Sequence, residues 1–136
     1  MSCKKSALSF LILVCGLILA ACSGDNSTAG DSINSGKELY EQATLGSAAG
    51  CKTCHSLEPG TVIIGPSMAG IGTVAASRVS GMSAEEYLKK SIVDPNAYIV
   101  DGFPASVMPN TYINQLTEEE IDKLVAYLLS LDGGGN

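Results

Sequence analysis

Cys51-Lys52-Thr53-Cys54-His55 is the stretch on which the reading of this sequence turns. Two cysteines spaced this way lie on one turn of chain and reach the two vinyl groups of a porphyrin. A histidine directly after the second then falls beneath the iron, so C-x-x-C-H reads as covalent attachment of a c-type haem. The rivals are a zinc site, a redox dithiol and a simple disulfide. Structural zinc takes four Cys or His ligands, and downstream of residue 22 the chain offers only Cys51, Cys54 and His55. A thioredoxin-type pair needs a βαβ context, which the helical pattern below does not supply, and a disulfide leaves His55 unexplained.

His55 is the sole candidate for the proximal iron ligand, since the chain has 1 histidine. Its other ring nitrogen should be oriented by an acceptor, for which a carbonyl near Pro66 is the candidate. For the sixth position the sequence offers Met68, Met82 and Met108 downstream of the signal. Met68 follows Gly65-Pro66 too closely and is expected to line the proximal pocket. Met82 directly precedes a helix cap and reads as packing or surface. Met108 stands in Val107-Met108-Pro109, 53 positions after His55, far enough along for the chain to wrap around a haem. Methionine is usually filler, but a Met-Pro step in a loop of a C-x-x-C-H chain makes Met108 the expected axial thioether.

Outward from the motif the pattern is all-α. Ile33, Gly36, Tyr40 and Ala43 recur at helical spacing, with Gly46 and Gly50 ending the run. Ser83 and Glu86 form a capping box ahead of Tyr87, Leu88, Ser91 and Ile92, and Pro95 stops that helix. Thr117 and Glu120 repeat the device before Ile121, Leu124, Val125, Leu128 and Leu129, and Gly133 to Gly135 close the third helix. The intervening chain is rich in Gly and Pro, and only Thr61 to Ile64 has the composition of a strand. Three short helices make a thin core, and a large flat apolar cofactor would complete it.

The N-terminus reads as a secretion signal: Lys4 and Lys5, then a mostly apolar run from Ala7 to Ala21. That run is about 15 residues, short of the roughly 17 to 25 of a membrane-spanning helix. Leu19-Ala20-Ala21-Cys22 resembles the lipobox of bacterial lipoproteins, so residues 1–21 are expected to be cleaved and Cys22 acylated. Residues 22–32 read as the lipidated cysteine and a flexible tether, in which the linker Ser23 to Asp31 has a span on the order of 16 Å. Residues 33–132 form the expected domain and 133–136 a flexible tail. Cleavage would move the net charge from −6 to −8 by removing two lysines and no acid. Such a surface excludes nucleic acid as a partner and points to a redox protein with a basic patch, or to a membrane respiratory complex.

The chain from about Ser35 to Leu131 resembles class I cytochromes c. Gly36 and Tyr40 look like the first-helix residues that cross the last helix in that family, with Leu124 and Tyr127 as their partners. Gly65-Pro66 resembles the segment whose proline carbonyl accepts a hydrogen bond from the proximal histidine, and Met108 matches the distal ligand. Tyr87-Leu88, Ser91-Ile92, Pro95-Asn96, Gly102-Phe103, Val107-Met108-Pro109 and Leu124-Val125-Ala126-Tyr127-Leu128 are similar to two kinds of respiratory domain. These are the cytochrome c domain fused to subunit II of some haem-copper oxidases and the lipid-anchored subunit of alternative complex III. The chain lacks the copper domain of the first, so the second fits better. Tyr98 and Arg78 are equally readable as haem-propionate contacts or as rim residues.

The resemblance implies a small cytochrome c fold, with short helices and Gly/Pro-rich loops wrapped around one covalent haem c. Its expected work is one-electron transfer and not catalysis, with Cys51 and Cys54 binding the cofactor and His55 and Met108 holding its iron. The lipid on Cys22 would keep the haem domain on the extracytoplasmic, periplasmic side of a membrane. The alternative is a haem peroxidase or gas-sensing domain, which requires an open or labile sixth position.

Overall fold

A computed structural model describes residues 29–133. The expected signal peptide, Cys22 and the tail beyond Gly133 lie outside the described residues. The elements run α1 (Ala29–Glu41), β1 (Thr44–Leu45), β2 (Ala48–Ala49), α2 (Ile71–Val74), α3 (Ala84–Val93), α4 (Tyr112–Gln115) and α5 (Glu118–Ser130), with 3-10 turns at Cys51–Thr53 and Ala75–Ser77.

The two capping boxes are formed as the sequence implies. Ser83 Oγ accepts from Glu86 N at 3.1 Å while Glu86 Oε2 accepts from Ser83 N at 2.8 Å. Thr117 and Glu120 exchange the equivalent bonds at 3.2 and 2.8 Å. Each box satisfies backbone donors that a helix start otherwise leaves unpaired. Helix α3 then buries Tyr87, Leu88 and Ile92, and α5 buries Ile121, Leu124, Val125, Tyr127 and Leu128.

Helix α1 departs from expectation at both ends. It begins at Ala29, so the last four positions of the expected 22–32 tether are helical, with Asp31 in the first turn where the helix dipole favours an acid. It ends at Glu41, leaving Ala43 exposed beyond it, because the chain turns into the β1–β2 hairpin, whose register pairs Thr44 with Ala49 and Leu45 with Ala48. Helix α1 packs most extensively on α5. The crossing is close because Gly36 has no side chain: a Cβ there would run into the Lys123 carbonyl and stand 2.8 Å from Tyr127 Cβ. Tyr40 and Tyr127 meet one turn further on, with ring centroids 5.5 Å apart.

Thr61–Ile64 is not a strand. Its one ladder contact is an isolated bridge between His55 and Val62, and Val62, Ile63 and Ile64 are 59, 52 and 51 % exposed. The backbone amides of Ile64 and Gly65 go to the Cys54 carbonyl at 3.1 and 2.9 Å, so the segment is an arm folded back on the C-x-x-C-H turn. Helix α2 is fixed to the end of α5 by Gly72 N donating to Leu131 O at 3.0 Å.

Candidate functional site

The hairpin delivers the chain to the site. Gly50 N donates to Ala43 O at 2.8 Å, and the 3-10 turn follows at once, with Cys54 N and His55 N both donating to Cys51 O at 3.1 and 3.0 Å. Thr53 Oγ1 closes the turn on Gly50 O at 2.6 Å. This winding brings Cys51, Cys54 and His55 to the wall of one cleft with about 1150 Å³ of empty space, part of it open to solvent.

His55 is held at two points. Its Nδ1 lies 2.8 Å from Pro66 O. A carbonyl only accepts, so Nδ1 carries the proton and Nε2 keeps its lone pair. Its backbone carbonyl accepts from the buried Tyr40 hydroxyl at 2.8 Å. Burial lowers the His55 pKa, with the Pro66 bond opposing, and the neutral ring is the form a metal requires. Gly65 lies flat against the imidazole: a Cβ there would collide with Cε1 and come within 2.7 Å of Nδ1. Burial also pushes the Cys51 thiol up to about 11, which disfavours thiol–disulfide exchange near neutral pH. Cys51 and Cys54 are free thiols, and among the described residues no three His, Cys, Asp or Glu side chains converge as a metal site.

The cleft brings Met68 and Met108 together with the C-x-x-C-H residues. Met82 is absent from its lining and packs against the core instead. Tyr98 lines it and stacks edge-on against Tyr87, ring centroids 5.7 Å apart. Arg78 does not line it, and its Nε is buried without a hydrogen-bond partner. Tyr40, Tyr87, Leu88, Ile92, Tyr112, Leu124 and Leu128 serve both as core and as cleft wall. No Asp, Glu, Lys or Arg is among the lining residues.

The sequence profile of cytochrome c matches residues 33–132. The chain belongs to the cytochrome c family. No curated protein sequence matches the chain significantly. Cytochromes c carry a covalently bound haem with its iron, and transfer electrons through it. The residues of this cytochrome fit that group: a large uncharged cleft accepts a flat apolar macrocycle, two free cysteines stand on its wall, and an imidazole beside them has its metal-binding nitrogen unengaged.

The buried Tyr112 gave no sequence signal of its role. It stands in the four-residue helix α4, too short to show a period, and its hydroxyl donates to Ala49 O at 2.6 Å. Burial pushes this phenol up to about 12, so it remains a donor across the biological pH range.

Proposed function

We propose that this cytochrome is a monohaem one-electron carrier whose cofactor is thioether-bonded through Cys51 and Cys54, with its iron held axially by His55 and Met108. The bound haem supplies the one-electron ferric/ferrous couple. The observation that carries the reading is that the C-x-x-C-H residues and Met108 share one uncharged cleft, with His55 already oriented by Pro66 O. His55 contributes a neutral imidazole through Nε2. Met108 contributes a thioether, which favours the reduced state and raises the potential. The apolar wall excludes water and strengthens both effects.

The cytochrome is further proposed to be secreted, cleaved ahead of Cys22 and anchored through a lipid there, with its haem on the extracytoplasmic face. It would serve as a tethered respiratory or photosynthetic carrier or as a subunit of a quinol-oxidising complex. The lipobox-like Leu19-Ala20-Ala21-Cys22 supports the anchor.

The test is an absorption spectrum of the purified holoprotein in both redox states. A sharp reduced α-band with the weak near-infrared iron–thioether feature, lost in Met108→Ala, is the expected result. High-spin iron that binds carbon monoxide readily would overturn the His55/Met108 assignment in favour of an open-site haem protein. For the anchor, Cys22→Ser should move the haem from the membrane to the soluble fraction, and retention would refute acylation.

A further inference from the structure

The loop that carries Met108 has no hydrogen-bond ladder of its own. Among the described residues, 104–110 belong to no helix or strand and show only local turns at Ala105-Ser106 and Asn110. Its placement depends instead on side chains at its two ends. Upstream, Asn96 Oδ1 accepts from Ser106 N at 2.8 Å, at the one non-glycine residue with positive φ among those described, 62°. A left-handed serine is sparsely populated without support, so that bond holds the loop in a shape it would otherwise leave. Downstream, α4 is tied to the hairpin that leads into Cys51. Tyr112 Oη donates to Ala49 O at 2.6 Å, and Gln115 Oε1 accepts from Ser47 N at 2.9 Å.

The two downstream bonds join the segment bearing Met108 to the segment bearing the C-x-x-C-H turn, while the Asn96 bond holds the shape of the loop itself. The two segments supply opposite axial ligands in the proposed function, so the bonds between them fix the sulfur's reach to the iron. We propose that Asn96 and Gln115, neither of which lines the cleft, are positioning residues that hold Met108 in place and set how readily an outside ligand displaces it. The inference rests on the reading of Met108 as the sixth ligand. Loss of either bond leaves the thioether its chemistry and makes its release easier.

Imidazole is the probe, titrated into the full-length ferric holoprotein. Asn96→Ala and Gln115→Ala should each raise imidazole affinity about threefold to tenfold, the factor that one net hydrogen bond supplies, and the double variant more. The near-infrared iron–thioether band should survive in all three before imidazole is added. Gln115→Glu, which keeps the acceptor oxygen, should stay near wild type. Ile121→Val, a core change in α5 away from the cleft, should lower thermal stability without changing imidazole affinity. In the unmutated protein, saturating imidazole should accelerate hydrogen exchange at the Ser47 and Ser106 amides, because coupling between two sites is reciprocal.

If the double variant binds imidazole as wild type does while Met108→Ala binds it freely, the positioning role is wrong and Met108 remains the ligand. An equal rise in Ile121→Val would also overturn it, by tracing the effect to general destabilisation. Unchanged exchange at both amides does the same without any variant. If wild type itself lacks the band and binds imidazole like Met108→Ala, the ligand reading falls and this inference with it.

Discussion

At His55 a single acceptor decides which ring nitrogen faces the cleft, and a missing side chain decides how close the backbone comes. Gly65→Ala would drive a methyl into the imidazole, forcing the ring off Pro66 O or the arm off Cys54. A loss of about 1–3 kcal/mol, typical of overpacking, is expected in denaturant unfolding of the holoprotein. The near-infrared band should shift or weaken as the ring tilts. Loss of stability with an unchanged spectrum would mean that the arm moves and the histidine does not. The Pro66 acceptor was legible in the sequence through the resemblance of Gly65-Pro66 to the cytochrome c segment whose proline carbonyl accepts from the proximal histidine. The Tyr40 bond to the His55 carbonyl was not, since a helical tyrosine's register predicts burial and not which carbonyl its hydroxyl finds.

Glu86 and Glu120 carry a second consequence at this scale. Backbone and side-chain bonds from Ser83 and Thr117 hold their carboxyls below the ordinary 4.5. A depressed folded-state pKa contributes stability that is present above that ordinary value and is lost as pH falls through the folded one. Both groups are exposed, so the contribution is small and salt-screened. In chemical denaturation from pH 6 downward, Glu86→Gln with Glu120→Gln should flatten the acid loss of stability below about pH 4.5. An identical pH profile in wild type and double variant would show that the boxes do not couple to protonation.

Among the elements, α1 and α5 make the frame, and their crossing hangs on one glycine. Gly36→Ala puts a methyl against the Lys123 carbonyl, a backbone atom that cannot rotate away, and a loss of about 3 kcal/mol, the upper end for overpacking, is expected in urea unfolding. A change below about 0.5 kcal/mol, ordinary for surface positions, would mean that the helices separate freely. Helices α3 and α5 were legible because capping boxes and a buried stripe are local signals. The start of α1 was hidden by small polar residues of linker composition, which helix formation tolerates at an exposed end. Helices α2 and α4 and the hairpin, each two to four residues per element, are too short for any period to show. Thr61–Ile64 misled because β-branched composition reports a preference for a pleated surface, whereas here the amides of Ile64 and Gly65 are spent on the Cys54 carbonyl.

Across the whole molecule, charge and apolar surface are segregated. Residues 59–77 and 102–117 contain no charged residue, and both stretches reach the cleft, while the acids cluster on α1, α3 and α5. A cleft walled this way is unfavourable for the more highly charged oxidised iron, which in the proposed function would add to the thioether in raising the potential. The same wall is half of the core, so the fold and its cofactor stand together. Leu88, Ile92, Leu124 and Leu128 each face both, and burying such a side chain is worth about 1.5–3 kcal/mol. Without a group in the cleft, water meets them, and a chain of this size has little other core to offset the loss. Cys51→Ala with Cys54→Ala, which removes both attachment points, should therefore give a protein that keeps much of its far-ultraviolet helix signal, through α1, α3 and α5, but loses near-ultraviolet dichroism and binds a hydrophobic dye. A cooperative thermal transition in that variant, with native near-ultraviolet signal and no bound haem, would show that the helical frame closes on itself and that the cleft is a pocket in a finished fold and not a missing part of its core.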